Sequence, residues 1–242
     1  MTLRHRLDGP EDADVLVLSN SIGTTFEVWD RVVPAFARRH RVVRYDHPAD
    51  ANSVPRLADG LLALLDEVGL RRMSICGLSI GGAVGMWLAA TAPERVERLV
   101  LACTSARFGP PDGYRERAAL VRAEGMAAVA DASMERWFTT RFADTARYRT
   151  MLVSTPAETY AGTCEALAAW DFRDRLGEIA APTLVIAGAE DPATPPAHAE
   201  LIAAGIPGAQ LVVLEDAAHF AQVERPEAFA QAVLDHLEKV PA

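Results

Sequence analysis

Met73-Ser74-Ile75-Cys76-Gly77-Leu78-Ser79-Ile80-Gly81-Gly82-Ala83-Val84 decides how the chain is read. The apolar run Met73 to Cys76 has the length and composition of a buried strand. The small residues from Gly82 to Ala90 read as a helix packed close to its neighbours. Between them, Gly77-Leu78-Ser79-Ile80-Gly81 must turn the chain sharply from strand to helix. A serine between two glycines at such a turn is a nucleophile elbow. The backbone there is strained and pushes the hydroxyl of Ser79 out above the strand. Side chains at 77 and 81 would collide with the neighbouring strand and helix, hence glycine. The pentapeptide alone arises often by chance, and it is the strand before it and the helix after it that give it weight.

Outward from the elbow the pattern alternates. Val15 to Leu18, Arg41 to Tyr45, Met73 to Cys76, Leu99 to Ala102, Thr183 to Ala187 and Leu211 to Leu214 read as short buried strands. Helical patterns fall between them, at Trp29 to Arg39, Arg56 to Val68, Ile80 to Ala90 and Pro195 to Ala204. A last amphipathic helix runs from Pro226 to Glu238, with the proline in its first turn. This alternation implies an α/β fold, a mostly parallel sheet with helices on both faces. Residues 107–175 break it, being helical in pattern with no convincing strand. An insertion after a strand sits at the carboxyl end of a parallel sheet, where active sites of open α/β folds lie. The expected organisation is therefore a core of residues 1–106 and 176–242 under a helical cap of residues 107–175. The cap holds ten arginines and ten acidic residues, so the rest of the chain carries the whole net charge of −9. Most of those arginines belong to a solvated surface; one or two facing inward would meet an anionic substrate.

A serine hydroxyl needs a base, and the base an orienting acid. With the elbow on this architecture, an α/β-hydrolase fold, the order along the chain is Ser, then Asp or Glu, then His. Asp191 follows the strand Thr183 to Ala187 and fits the acid; Glu190 beside it is a rival, and a turn residue ahead of Pro192 is the plainer reading. His219 follows the last strand, after the candidate acid, and fits the base. His5, His40, His198 and His236 sit in polar or helical surroundings and read as surface residues, while His47 lies in a loop after a strand, within reach of a pocket rim. An oxyanion hole needs two backbone N–H groups. Ile80, next to the nucleophile, supplies one; Ile22, in the loop Ser19-Asn20-Ser21-Ile22-Gly23-Thr24, is the candidate for the other, although an ordinary Ser/Asn/Gly turn fits that loop equally well.

The chain has 242 residues, half of them apolar, enough for one domain with a large core. A net charge of −9 argues against nucleic acid and against anionic membrane surfaces. No apolar run is long enough to span a bilayer, and the N-terminus lacks the pattern of a signal segment. Cys76, Cys103 and Cys164 are scattered and read as buried thiols in a reducing compartment, so the cytoplasm is the default location. No ligand cluster of metal type is present, and hydrolysis by the serine route requires no metal or cofactor. The partner expected is a small-molecule lactone or ester; the sequence leaves the oligomeric state, a homo-oligomer included, open.

Several segments together resemble the 3-oxoadipate enol-lactonases. They are Leu18 to Thr24 with Trp29-Asp30, Cys76 to Gly82, Glu135-Arg136-Trp137-Phe138-Thr139, Gly188 to Asp191 with Pro195, and His219-Phe220 with Glu224-Arg225-Pro226-Glu227. The resemblance covers nearly the whole chain. It implies that Ser79, Asp191 and His219 form a triad, that Trp137 lines the substrate site, and that the reaction opens an enol-lactone carrying a carboxylate. Arg136, beside Trp137, is the candidate partner for that carboxylate, with Arg141 as the next arginine to consider; a surface charge for Arg136 and a packing role for Trp137 are equally open. A carboxylesterase or another lactonase with the same triad, and a non-catalytic ligand-binding homologue, are the alternative functions. One departure stands out. The family has an Arg-Gly-His-Gly-x-Ser segment after its second main strand, where this chain runs Tyr45-Asp46-His47-Pro48-Ala49-Asp50-Ala51-Asn52-Ser53-Val54-Pro55, shorter and without glycines. The shorter loop is expected to leave the mouth of the pocket wider.

Overall fold

A computed structural model describes residues 3–239. The strands are β1 (His5–Asp8), β2 (Val15–Ser19), β3 (Arg41–Tyr45), β4 (Met73–Leu78), β5 (Val96–Ala102), β6 (Thr183–Gly188) and β7 (Gln210–Leu214). They form one sheet in the order β1-β3-β2-β4-β5-β6-β7. β1 runs antiparallel to β3, and every other neighbouring pair is parallel. The helices are α1 (Val33–Phe36), α2 (Val54–Glu67), α3 (Ile80–Thr91), α4 (Pro111–Glu124), α5 (Ala130–Trp137), α6 (Ala146–Val153), α7 (Ala157–Ala169), α8 (Pro196–Gly205), α9 (Ala221–Glu224) and α10 (Pro226–Leu237). This is the α/β-hydrolase architecture, a mostly parallel sheet flanked by helices.

Central strands of a sheet covered on both faces should be continuously apolar. Leu16, Val17, Leu18, Ile75, Cys76, Leu99, Val100 and Leu101 are accordingly fully buried. α3 is buried along most of its length, which explains why it has no polar face. All of α4, α5, α6 and α7 lie between β5 and β6, so the stretch after β5 is helical, as its pattern implies. Among the described residues, no helix is long and apolar enough to cross a membrane.

Three expectations need correction, and one strand was not foreseen. The pattern from Trp29 to Arg39 is not one helix. It is a 3₁₀ turn at Phe26–Trp29 followed by the single turn of α1. Pro34 has no N–H to donate to the carbonyl of Asp30, so the helical ladder from Trp29 is interrupted there. β7 is an edge strand, not a buried one: Val213 is exposed, with only β6 as a neighbour. β1 escaped the sequence reading, because four residues of mixed polarity carry little strand signal. His40 and His236 are buried, not surface residues; the backbone carbonyl of Pro182 meets Nε2 of His236 at 3.2 Å.

The topology explains where a site can form. From β2 the chain moves outward to β3, then crosses back over β2 to β4 and proceeds in the other direction. The loops leaving the carboxyl ends of β2 and β4 therefore diverge, and a crevice opens between them. Ser19 at the end of β2 stands beside Gly77 near the end of β4. The loop holding Ile22 and the turn holding Ser79 thus face each other across that crevice.

Candidate active site

Ser79 has φ 56° and ψ −117°, a conformation rarely adopted by a residue with a side chain. Two surroundings hold it there. Its N–H donates to the carbonyl of Ala102 at 2.9 Å, and its carbonyl accepts from the hydroxyl of Thr104 at 2.6 Å. The flanking glycines are sterically required. A Cβ on Gly77 would fall 2.2 Å from the carbonyl oxygen of Gly81, and one on Gly81 would fall 2.2 Å from that of Ser19. Both obstacles are backbone and cannot swing aside.

Asp191 and His219 lie on loops beyond β6 and β7, and both are buried. Oδ2 of Asp191 is 2.8 Å from Nδ1 of His219. An ionised carboxylate only accepts, so Nδ1 is the donor in this pair, and in the neutral imidazole Nε2 is the nitrogen free to accept. Burial works against ionisation of Asp191. The charge and hydrogen bond of His219, together with the N–H and hydroxyl of Thr194, outweigh it and hold the carboxyl below the usual carboxylate range. Oδ1 accepts from the N–H groups of Ala193 and Thr194 at 2.8 and 3.0 Å, and the Thr194 hydroxyl donates to Oδ2 at 2.7 Å. The rival Glu190 is turned away: its exposed carboxylate pairs with Arg141. Arg141 also reaches Asp216 at 3.3 Å, so it belongs to an outer ion-pair network and not to the pocket.

Ile22 lines the same cavity as Ser79, and Ile80 follows Ser79 directly at the start of α3. Among the described residues, neither backbone N–H donates to another group. The Ile22 loop is clasped by Asn20, whose amide donates to the Tyr45 carbonyl at 2.7 Å and accepts from the Trp29 indole at 2.9 Å. Ser19 meets the Tyr45 hydroxyl at 2.8 Å and His47 at 3.2 Å. His47 therefore braces the loop and stands outside the cavity of Ser79. His198 lies near Asp191 without a hydrogen bond to it.

Ser79, His219, Ile22 and Thr194 line a cavity of about 160 Å³, to whose lining residues 107–175 contribute Tyr114, Arg117, Arg136 and Trp137. Trp137 stacks on Phe220, the residue after His219, at 4.4 Å between ring centres, and its carbonyl accepts from the Phe220 N–H at 2.9 Å. Arg136 lines the cavity, and so does Arg117. Neither arginine forms an ion pair within the described residues, whereas Arg122, Arg141, Arg147, Arg149, Arg173 and Arg175 all do. Burial first, and then the charge of Arg117, push Arg136 below its ordinary pKa. A guanidinium nevertheless stays charged, so two uncompensated cations share one small cavity with Ser79. No cluster of three or more His, Cys, Asp or Glu side chains among the described residues could hold a metal ion.

The chain matches the α/β-hydrolase fold family model over residues 14–226. It is 36% identical to 3-oxoadipate enol-lactonase 2 of Acinetobacter baylyi, over 96% of this chain and 92% of that protein. The chain belongs to the 3-oxoadipate enol-lactonase family of α/β-hydrolases. The crystal structure of the enol-lactonase from Burkholderia xenovorans LB400 superposes with a TM-score of 0.94 at 38% identity, covering 98% of this chain and 96% of that one. A hydrolase from Pseudomonas aeruginosa PA01 superposes with a TM-score of 0.92 at 44% identity, covering 97% and 94%. This family member is thus an enzyme acting on ester bonds.

Arg117 and Thr194 were not singled out in the sequence, and Glu224 entered only as part of the family resemblance. A signal for Arg117 existed: Tyr114 and Arg117 are three apart on α4, and Ser133, Arg136 and Trp137 share one face of α5. All five face the cavity. Glu224 ties the insertion to the His219 loop. Its carboxylate accepts from the N–H and hydroxyl of Thr139 at 3.0 and 2.6 Å, and from the Ala218 N–H at 2.7 Å. Glu224→Ala leaves these donors unpaired and is expected to lower the unfolding free energy by about 1–3 kcal/mol. A urea titration of both proteins checks this, with an unchanged midpoint as the contrary result.

Proposed function

We propose that the protein is a serine hydrolase that opens a carboxylate-bearing enol-lactone, 3-oxoadipate enol-lactone in the first instance, through an acyl-enzyme on Ser79. The observation that carries this reading is the pair of unpaired arginines, Arg117 and Arg136, in the same cavity as Ser79 and His219. Two neighbouring cations in a partly buried site repel each other, and an anionic substrate relieves that cost. At about 160 Å³ the cavity lies below the several hundred Å³ of ordinary ligand pockets, which suits a compact ring.

In this mechanism residues 107–175 serve as the cap that places Arg117, Arg136 and Trp137 over the ring. Nε2 of His219 takes the Ser79 proton as Oγ bonds to the ring carbonyl carbon. The oxygen becomes an oxyanion held by the N–H groups of Ile22 and Ile80. Asp191 keeps the imidazole oriented and stabilises its charged form. Collapse breaks the ring C–O bond, and protonated His219 delivers its proton to the departing enol. Water, deprotonated by His219, then attacks the acyl-enzyme, releasing the acid and regenerating Ser79. The freed enol tautomerises to a ketone, so ring opening does not run backwards.

Fluorophosphonate labelling followed by peptide mass spectrometry is expected to place one adduct on Ser79, prevented by prior incubation with the anionic lactone. An adduct elsewhere, or none, would remove Ser79 as the nucleophile. A carboxylesterase with the same triad is the second reading, and the large cavity beside Ile22, described next, favours it.

A further inference from the structure

A second cavity is larger than the one holding Ser79. It measures about 530 Å³ and lies between the Ile22 loop, the segment after β3 and helices α6 and α7. Two residues, Ile22 and Tyr160, line both cavities, so the wall between them is one layer of side chains. Gly23, at φ 68°, lets the wall be this thin: a Cβ there would fall 2.4 Å from Leu152 on α6 and 3.0 Å from the Tyr160 ring on α7. The short 46–55 loop contributes Asp46, His47 and Ala49 to the far side.

The chemistry of this lining differs from that around Ser79. The cations at its rim are neutralised, Arg4 by Glu27 and Asp46, and Arg147 by Asp30 at 2.8 Å. Burial pushes His47 down to about 4, so its imidazole is neutral. Thr24, Thr155 and Thr163 donate their hydroxyl protons to the backbone carbonyls of Ser21, Met151 and Thr159, which leaves no free donor from these threonines. Ile22, Met151 and Pro156 supply apolar surface. Ser21, whose buried hydroxyl has no partner among the described residues, adds one polar group, but no unpaired cation among them faces this cavity, so it favours an uncharged chain over an anion.

We propose that this cavity is an acyl-chain subsite, and that the protein also hydrolyses neutral open-chain esters of small alcohols with extended acyl chains. The assignment to the acyl arm follows from where the proton must go. The leaving oxygen receives its proton from His219, which lines only the smaller cavity, so the alcohol arm stays there. With the carbonyl oxygen at the Ile22 N–H, the arm continuing past Ile22 is the acyl chain, and the Ile22 and Tyr160 side chains that separate the cavities must turn aside to admit it. Ser79 Oγ bonds to the carbonyl carbon, the C–O bond to the alcohol breaks, His219 protonates the alcohol, and water then releases the free acid. The inference rests on Ser79 as nucleophile and not on the lactone as substrate.

The test is a set of initial rates on methyl acetate, methyl butanoate, methyl hexanoate and methyl octanoate, for the native protein and for Thr159→Trp and Ala49→Trp, which fill the cavity from opposite walls. For the native protein, kcat/KM is expected to rise with acyl length, because each methylene buried adds a favourable transfer term. In both variants the ratio of hexanoate to acetate is expected to fall about tenfold or more, since a pocket distinguishes single methylenes on that scale. A native profile that declines from acetate onward overturns the proposal, whichever variants fold. So does an unchanged ratio in either variant whose thermal unfolding matches the native protein. Neutral esters carry no carboxylate, so loss of activity on the anionic lactone alone leaves this result standing.

Discussion

Ser79→Ala and His219→Ala are each expected to lower kcat by about 10⁴-fold or more, with Asp191→Asn somewhat milder. The size follows from how the three groups depend on one another. Nε2 of His219 is available as a base only because Nδ1 is bound to Asp191 at 2.8 Å. Without the imidazole, the Ser79 hydroxyl has no proton acceptor; without the hydroxyl, the imidazole has nothing to activate. Single losses should therefore cost nearly as much as the double Ser79→Ala/His219→Ala change, and the double variant is the sharper half of the experiment. Asp191→Asn keeps the shape but loses the charge, and its amide can donate to Nδ1, favouring the tautomer with the proton on Nε2. Steady-state rates on any turned-over ester suffice. Near-normal activity in His219→Ala would remove His219 as the base; multiplicative losses in the double variant would show two independent roles and dismantle the triad.

Arg117→Ala and Arg136→Ala are each expected to reduce kcat/KM for the anionic lactone by about ten- to hundredfold, the worth of a hydrogen bond to a charged group of roughly 1.5–3 kcal/mol. Hydrolysis of neutral esters such as methyl acetate should change far less. The reason is local: neither guanidinium has an acidic partner within the described residues, so each is available to the substrate carboxylate. Because they lie together, the two losses should not add, and the double variant should cost less than the product of the singles. Trp137→Ala, by contrast, removes a ring stacked on Phe220 beside His219 and should impair neutral and anionic substrates alike. Equal impairment of both substrate types by the arginine variants would take these residues out of carboxylate recognition.

Much of the frame is legible in the chain because it is locally determined. The requirement at Gly77 is written within a few residues of Ser79, since its obstacle is the backbone of Gly81 and Gly82, while that at Gly81 comes from the backbone of Ser19, brought alongside by the sheet. The strand Thr183–Gly188 is an apolar run of ordinary length, and Arg41–Tyr45 shows itself by Val42, Val43 and Tyr45 between and beside its two arginines. Trp29 to Arg39 misleads because its spacing is helical while Pro34 forbids the continuous helix. Position within the sheet is invisible locally: nothing within Gln210–Leu214 announces that only one neighbour will pair with it. The site divides the same way. A carboxylate after β6 is readable, but Asp191 and Glu190 are told apart by where His219 and Arg141 lie, contacts from distant parts of the chain. Arg117 and Arg136 sit on different helices, and their shared cavity exists only once α4 and α5 are packed.

Turnover of authentic 3-oxoadipate enol-lactone by the purified protein, followed as loss of the enol-lactone against a no-enzyme control, tests the central claim most directly. The expected kcat/KM lies within the range of about 10⁴–10⁸ M⁻¹s⁻¹ usual for an enzyme on its own substrate, and above that for any neutral ester. A rate indistinguishable from the Ser79→Ala protein, or a clear preference for neutral esters over the anionic lactone, would contradict it.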